Sequence, residues 1–189
     1  MLTYANLRAQ DAMPKLKEAE TAYAAKNLSD SRYSLQEALN EINMAIGKDI
    51  MAVLPTKIKD LAFNASEDNI SGAAGFAGLF VTRSFGTGDK NAKIEIISDS
   101  PLIAGVNTFL AMPAMMTGSD PNQKRIKIAG YKSMLNKSVD DNNVESYTIQ
   151  VPINQTLLTL TLNGVATENE AVNIANSLPI DKIAKYSAQ

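Results

Sequence analysis

Any catalysis by this chain would have to be built from Asp, Glu, Lys, Ser or Tyr, because its 189 residues include no His and no Cys. Losing His removes the commonest general base and metal ligand. Losing Cys removes thiol nucleophiles, zinc–thiolate sites and disulfides. The remaining types do not assemble into a catalytic pattern. There is no Gly-x-Ser-x-Gly, and no Ser-x-x-Lys at a convincing helix start. Carboxylates pair only as near neighbours, such as Glu18/Glu20, Glu67/Asp68 and Asp140/Asp141. Such pairs read as solvated faces and turns, without a motif of the kind a glycosidase needs. Asp140–Glu145, DDNNVE, offers hard oxygens but lacks the glycine and ligand spacing of a calcium loop. Gly72, Gly75 and Gly78 lack the Gly-Lys-Ser/Thr that completes a phosphate loop. The expectation is a chain with no catalytic residues, no metal and no cofactor; an enzyme using carboxylates or a Lys ranks third.

Binding chemistry has more to draw on. Asp99 and Asp120 bracket twenty uncharged residues, SPLIAGVNTFLAMPAMMTGS. Met112, Met115 and Met116 cluster there, and thioethers suit Cu(I). Methionine more often fills gaps or lines adaptable surfaces, and no His supports a metal. A basic run follows: Lys124, Arg125, Lys127, Lys132 and Lys137. Arg125 and Lys127 share a strand face, and beside an apolar helix they could meet anionic lipid. The wet side of a half-buried sheet is the plainer reading, since the net charge is −2. Phe109, Met112, Met115, Met116, Arg125 and Lys127 are the candidate interface. Nucleic acid is not an expected partner.

The elements that must carry these residues follow from periodicity. Residues 1–55 read as a helical hairpin. Ala12, Leu16, Ala19 and Tyr23 make one stripe, and Leu35, Leu39, Ile42, Ile46, Ile50 and Val53 a longer one. Ser29 or Asp30 would cap the second helix and Pro55 stop it. Residues 56–189 read as the second unit. Residues 55–78 look like a short extended piece and a loop. From Leu79 the period becomes two, with hairpins LFVTRSF/AKIEIIS, KRIKIAG/YKSMLNKSV and ESYTIQVPI/TLLTLTLNG. Gly130 suggests a bulge or bend, and Pro152 an edge or strand end. Ser100-Pro101 opens a helix running to about Ala111, too interrupted and short for a membrane span. Thr167–Glu170 is a capping box for a last helix. The order α-α, β-β, α, β-β-β-β, α predicts an α+β fold: an αα-hairpin, then an antiparallel sheet of about six strands with helices on one side.

Two resemblances attach to these residues. The hairpin, through Ala19, Ala22, Tyr23, Leu35, Ala38 and Leu39, resembles a single tetratricopeptide unit, with Ser31 where that family has Ala. No second copy follows, so a hairpin packed on its own domain is the plainer reading. Residues 79–186 resemble small secreted or lipid-anchored bacterial domains of the PsbP/Mog1-like kind. Thr82–Phe85 before a Gly turn, Ile94–Ile97 leading into Asp99–Leu102, and Ile128–Lys132 carry this. That resemblance implies a non-enzymatic accessory or binding protein, often outside the cytoplasm. MLTYANLRAQDAMPK shows no signal peptide. A periplasmic or secreted location is expected with a leader not contained in this sequence, and the cytoplasm is the alternative. The leading expectation is a protein-binding module, with self-association through the hairpin as one route. The second is a small-molecule or lipid carrier with a cavity between sheet and helix.

Overall fold

The computed structural model describes residues 12–72, 78–112, 121–164 and 167–187. Helices α1 (Met13–Ala24) and α2 (Leu28–Val53) form the expected hairpin. Small residues let them approach closely: Ala19, Ser31, Ser34 and Ala38 are buried between them. Ser31 Oγ donates to Ala19 O at 3.0 Å. Asn27 caps α2, rather than Ser29 or Asp30, by accepting from the Asp30 N–H. The chain already reverses at Lys26, whose φ is 60°. The helix therefore starts two residues earlier than a Ser29 cap would give.

Strands β1 (Lys57–Ile58) and β2 (Leu61–Ala62) pair as a small ribbon. The main sheet has seven strands, one more than expected, all antiparallel to their neighbours. The added one is β3 (Asn69–Ser71), an edge strand in the stretch expected as loop. Three residues are too few to display a period of two, so only pairing with β4 defines it. The others are β4 (Phe80–Thr87), β5 (Lys90–Ser98), β6 (Gln123–Ile128), β7 (Tyr131–Val139), β8 (Glu145–Ile153) and β9 (Thr156–Asn163). The order is β3-β4-β5-β9-β8-β7-β6. After β5 the chain crosses through α3 (Leu102–Ala111) to the far edge. It then meanders back until β9 closes against β5. The fold is α+β, as its element order implies.

One sheet face carries the main core: Val81, Phe85, Ile94, Ile96, Ile149, Val151, Leu158 and Leu160 are 0% exposed. Ile50 and Leu54 at the end of α2 pack on it, as do Ala171 and Ala175 of α4 (Glu168–Ser177) and Ile183 of α5 (Ile180–Ser187). Each large side chain buried there contributes about 1.5–3 kcal/mol. The helices do not all lie on that side. Helix α3 sits on the opposite face, where Ile103 and Val106 pack against Met134 and Leu157. The register puts Met134 and Leu157 on the same face as Lys93, Glu95 and Thr159. Local periodicity shows α3 to be amphipathic but not which face it crosses. The uncovered part of that face is the wet side, with Lys93 paired to Glu95 at 2.7 Å.

Two local features position the remainder. Gly130 is not a bulge: Ala129 (φ 47°) and Gly130 (φ 86°) form a two-residue turn joining Ile128 to Tyr131. Positive φ at both positions is the turn that matches strand twist. The Ala129 N–H donates to Asn176 Oδ1 at 2.9 Å, tying the turn to α4. Pro152 lies in an interior strand, but the β7–β8 ladder ends at Gln150, so β7 needs no N–H from Pro152. The capping box forms as read, with Thr167 and Glu170 satisfying each other.

Candidate functional site

The candidate interface residues meet, in part, where the end of α3 crosses β6 and β7. Ile103 and Val106 dock the helix on the sheet. That anchoring carries Phe109, partly buried, over Arg125, whose guanidinium lies 5.2 Å from the ring centroid. Such stacking holds a long side chain in one place. Lys127 is exposed on the same strand, and Met112 is 40% exposed just beyond α3. Met115 and Met116 lie outside the described residues. Met112 is thus not core, and α3 is only half covered, with Leu102 also exposed.

A hollow of about 340 Å³ opens at this corner, lined by Leu110, Arg125, Ile126, Lys127 and Lys132. Lys127 and Lys132 stand directly opposite each other across the β6–β7 ladder. Like charges in that relation repel. Among the described residues no carboxylate forms an ion pair with Arg125, Lys127 or Lys132, although six other Lys or Arg residues have one. Nε and Nη2 of Arg125 are enclosed with no hydrogen-bond acceptor. Lys132 and Leu110 are absent from the candidates drawn from the sequence. The missed signal is the Ala129-Gly130 turn, which as a two-residue connection fixes Lys127 against Lys132.

A second surface lies on the hairpin. Met13, Leu16 and Tyr23 on α1 and Leu28, Leu35, Leu39 and Ile42 on α2 are all exposed. On α2 these residues and Ile46, Ile50 and Val53 are one stripe at helical spacing. Its second half packs on the domain core, with Ile46 and Val53 partly buried against it and Ile50 fully inside. Its first half is as apolar and has no cover among the described residues. Next to it a groove of about 310 Å³ runs between α2, the sheet and α5, lined by Leu39, Ile42, Ile46, Leu79, Ile96 and Tyr186 among others.

Of the carboxylates singled out for chemistry, Asp68 and Asp140 are tied into the fold. Asp68 receives Arg83 Nη2 at 2.7 Å and Nε at 3.1 Å, while Arg83 Nη1 donates to Leu54 O and Pro55 O. Phe63 lies under the same guanidinium, at 4.7 Å. This unit pins the end of α2 to β4. Asp140 Oδ1 accepts from the Asn142 and Val144 N–H groups inside its turn. Glu170 is held down to about 2 by the Thr167 N–H, Lys59 and the Thr167 hydroxyl. Among the described residues no group of three or more carboxylates could hold a metal ion, and no helix is long and apolar enough to cross a membrane. The chain matches no family model, no curated protein and no solved structure.

Proposed function

We propose that this protein is a non-catalytic binding and accessory module of a bacterial extracytoplasmic compartment, docking through the apolar face of its helical hairpin onto a second copy of itself. The observation that carries this is the α2 stripe, packed on the core from Ile46 onward and bare from Leu28 to Ile42. Two hairpins, each with one uncovered apolar face, complete each other as a four-helix bundle. A two-fold axis needs only a self-complementary patch. Seven exposed apolar side chains supply the patch: Met13, Leu16 and Tyr23 on α1 and Leu28, Leu35, Leu39 and Ile42 on α2. A patch of this size on a monomer marks an interaction surface. The compartment rests on the resemblance to secreted and lipid-anchored domains, and the absence of catalysis on the missing residue types. Sedimentation velocity tests the reading. A concentration-dependent dimer is expected; a chain that stays monomeric at every concentration overturns it.

The carrier reading keeps one specific support, the groove between α2, the sheet and α5. Its size is at the lower end for a ligand pocket, about 300 Å³. Leu39 and Ile42 belong to both the groove and the stripe, so the two readings compete for the same side chains. Native mass spectrometry separates them. A bound small molecule on the monomer supports the carrier; an unliganded dimer supports the module.

A further inference from the structure

We infer that the hollow at the α3–β6–β7 corner is a binding site for a phosphate group, with Arg125, Lys127 and Lys132 as its ligands. Three cations line one small concavity, and none has an acidic partner among the described residues. Two of them, Lys127 and Lys132, are opposed across the ladder, an arrangement that costs stability unless an anion lies between them. The third is held fixed: Arg125 is stacked on Phe109, and two of its guanidinium nitrogens are enclosed without an acceptor. An enclosed donor left without an acceptor is unfavourable, and a nearby anion offsets its charge.

The set of donors selects the ligand class. A lone carboxylate carries one charge and two oxygens, enough for one of the three cations. A phosphate carries up to two charges and presents oxygens in several directions. With Nε and Nη2 of Arg125 enclosed, the guanidinium supplies a fixed positive charge at the wall, and each Lys a mobile ammonium that can donate to a phosphate oxygen. Leu110 gives the hollow an apolar wall, and Met112 is exposed beyond it. A free phosphate and an anionic lipid headgroup share this chemistry. The site stands whether or not the hairpin associates, since no hairpin residue lines it.

The test uses the full chain. Inorganic phosphate is titrated calorimetrically against chloride at matched ionic strength, and cosedimentation is measured with phosphatidylglycerol and with phosphatidylcholine vesicles. Binding in the phosphate titration marks a soluble ligand, and binding only to phosphatidylglycerol marks a headgroup; either supports the site. Lys127→Gln with Lys132→Gln should weaken that binding about tenfold or more, having lost two charge-assisted contacts. Lys57→Gln, an exposed cation on the β1–β2 ribbon, should leave it unchanged. Without phosphate the double variant should melt at the same temperature as the parent or higher, because the repulsion is gone. The proposal is overturned if the parent prefers neither phosphate nor phosphatidylglycerol, or if the double variant binds as the parent does. It is also overturned if the double variant melts lower, since the cations would then serve the fold.

Discussion

Replacing Leu35 and Leu39 together by Gln should break association of the hairpin without unfolding it. Leu35 is 52% exposed and Leu39 57% exposed, so an interface has about half of each side chain left to bury. Full burial of a leucine contributes about 1.5–3 kcal/mol, which leaves about 1 kcal/mol for each. In a two-fold dimer both positions occur twice, giving about 4 kcal/mol in all. At 1.4 kcal/mol per tenfold, the dissociation constant should rise about 1000-fold. Glutamine is nearly as good a helix former as leucine, so α2 itself should persist. Sedimentation velocity over a concentration series reads the association, and thermal melting of the dilute monomer checks the fold. An unchanged association curve in a folded double variant would refute the reasoning. So would a large loss of monomer stability, because the two leucines would then be core.

Arg83→Leu should cost about 3 kcal/mol in urea unfolding, the low end for a broken buried pair, because Asp68 keeps 18% of its side chain exposed. An effect below ~1 kcal/mol would mean that the guanidinium does not pin α2 to β4. Gly47→Ala should destabilise by about 1–3 kcal/mol through overpacking. A Cβ there would fall 2.4 Å from Ile70 Cγ2 and 3.0 Å from Leu79 Cδ1, and a neutral result would show that β3 is free to shift. Glu170 makes a pH-dependent contribution. Its folded pKa, about 2, lies below the ordinary 4.5, so its stabilisation is present above pH 4.5 and is lost as pH falls toward 2. Glu170→Ala should therefore lower the melting temperature at pH 6 and have a much smaller effect at pH 2. A pH-independent difference would mean that the ionised carboxylate does not supply the effect.

Features written in one contiguous segment were legible before any coordinates. The stripe from Leu35 to Val53, the Thr167–Glu170 box, the Ser100-Pro101 helix start and the turn at Asp140–Asn143 all depend on neighbours within one helical turn or hairpin. What was not legible depends on residues far apart in sequence. Nothing in β9 alone states that it lies between β5 and β8. Nothing in α3 states that it crosses the face of Met134 and Leu157 while the other helices lie opposite. Asp68 seemed one half of a carboxylate pair until its partner, Arg83, was placed beside it. The corner site was half visible for the same reason. Phe109, Met112, Arg125 and Lys127 stand out by type, whereas the place of Lys132 depends on a turn whose two positive φ values are not evident from Ala129. The α2 stripe shows the limit most clearly. Its periodicity is uniform, but only packing reveals that Leu35, Leu39 and Ile42 stay outside while Ile50 goes in.

The claim that the hairpin face meets its own copy is tested most directly by an inter-copy distance. The chain has no Cys, so Tyr33→Cys gives a single labelling site. Tyr33 is 61% exposed on α2 and lies off the apolar stripe, so a spin label there leaves the contact intact. Pulsed electron resonance should show one discrete distance between labels, and the distance should vanish when Leu35→Gln and Leu39→Gln are added. A featureless decay in the parent background, or a distance that survives those two substitutions, would contradict the account.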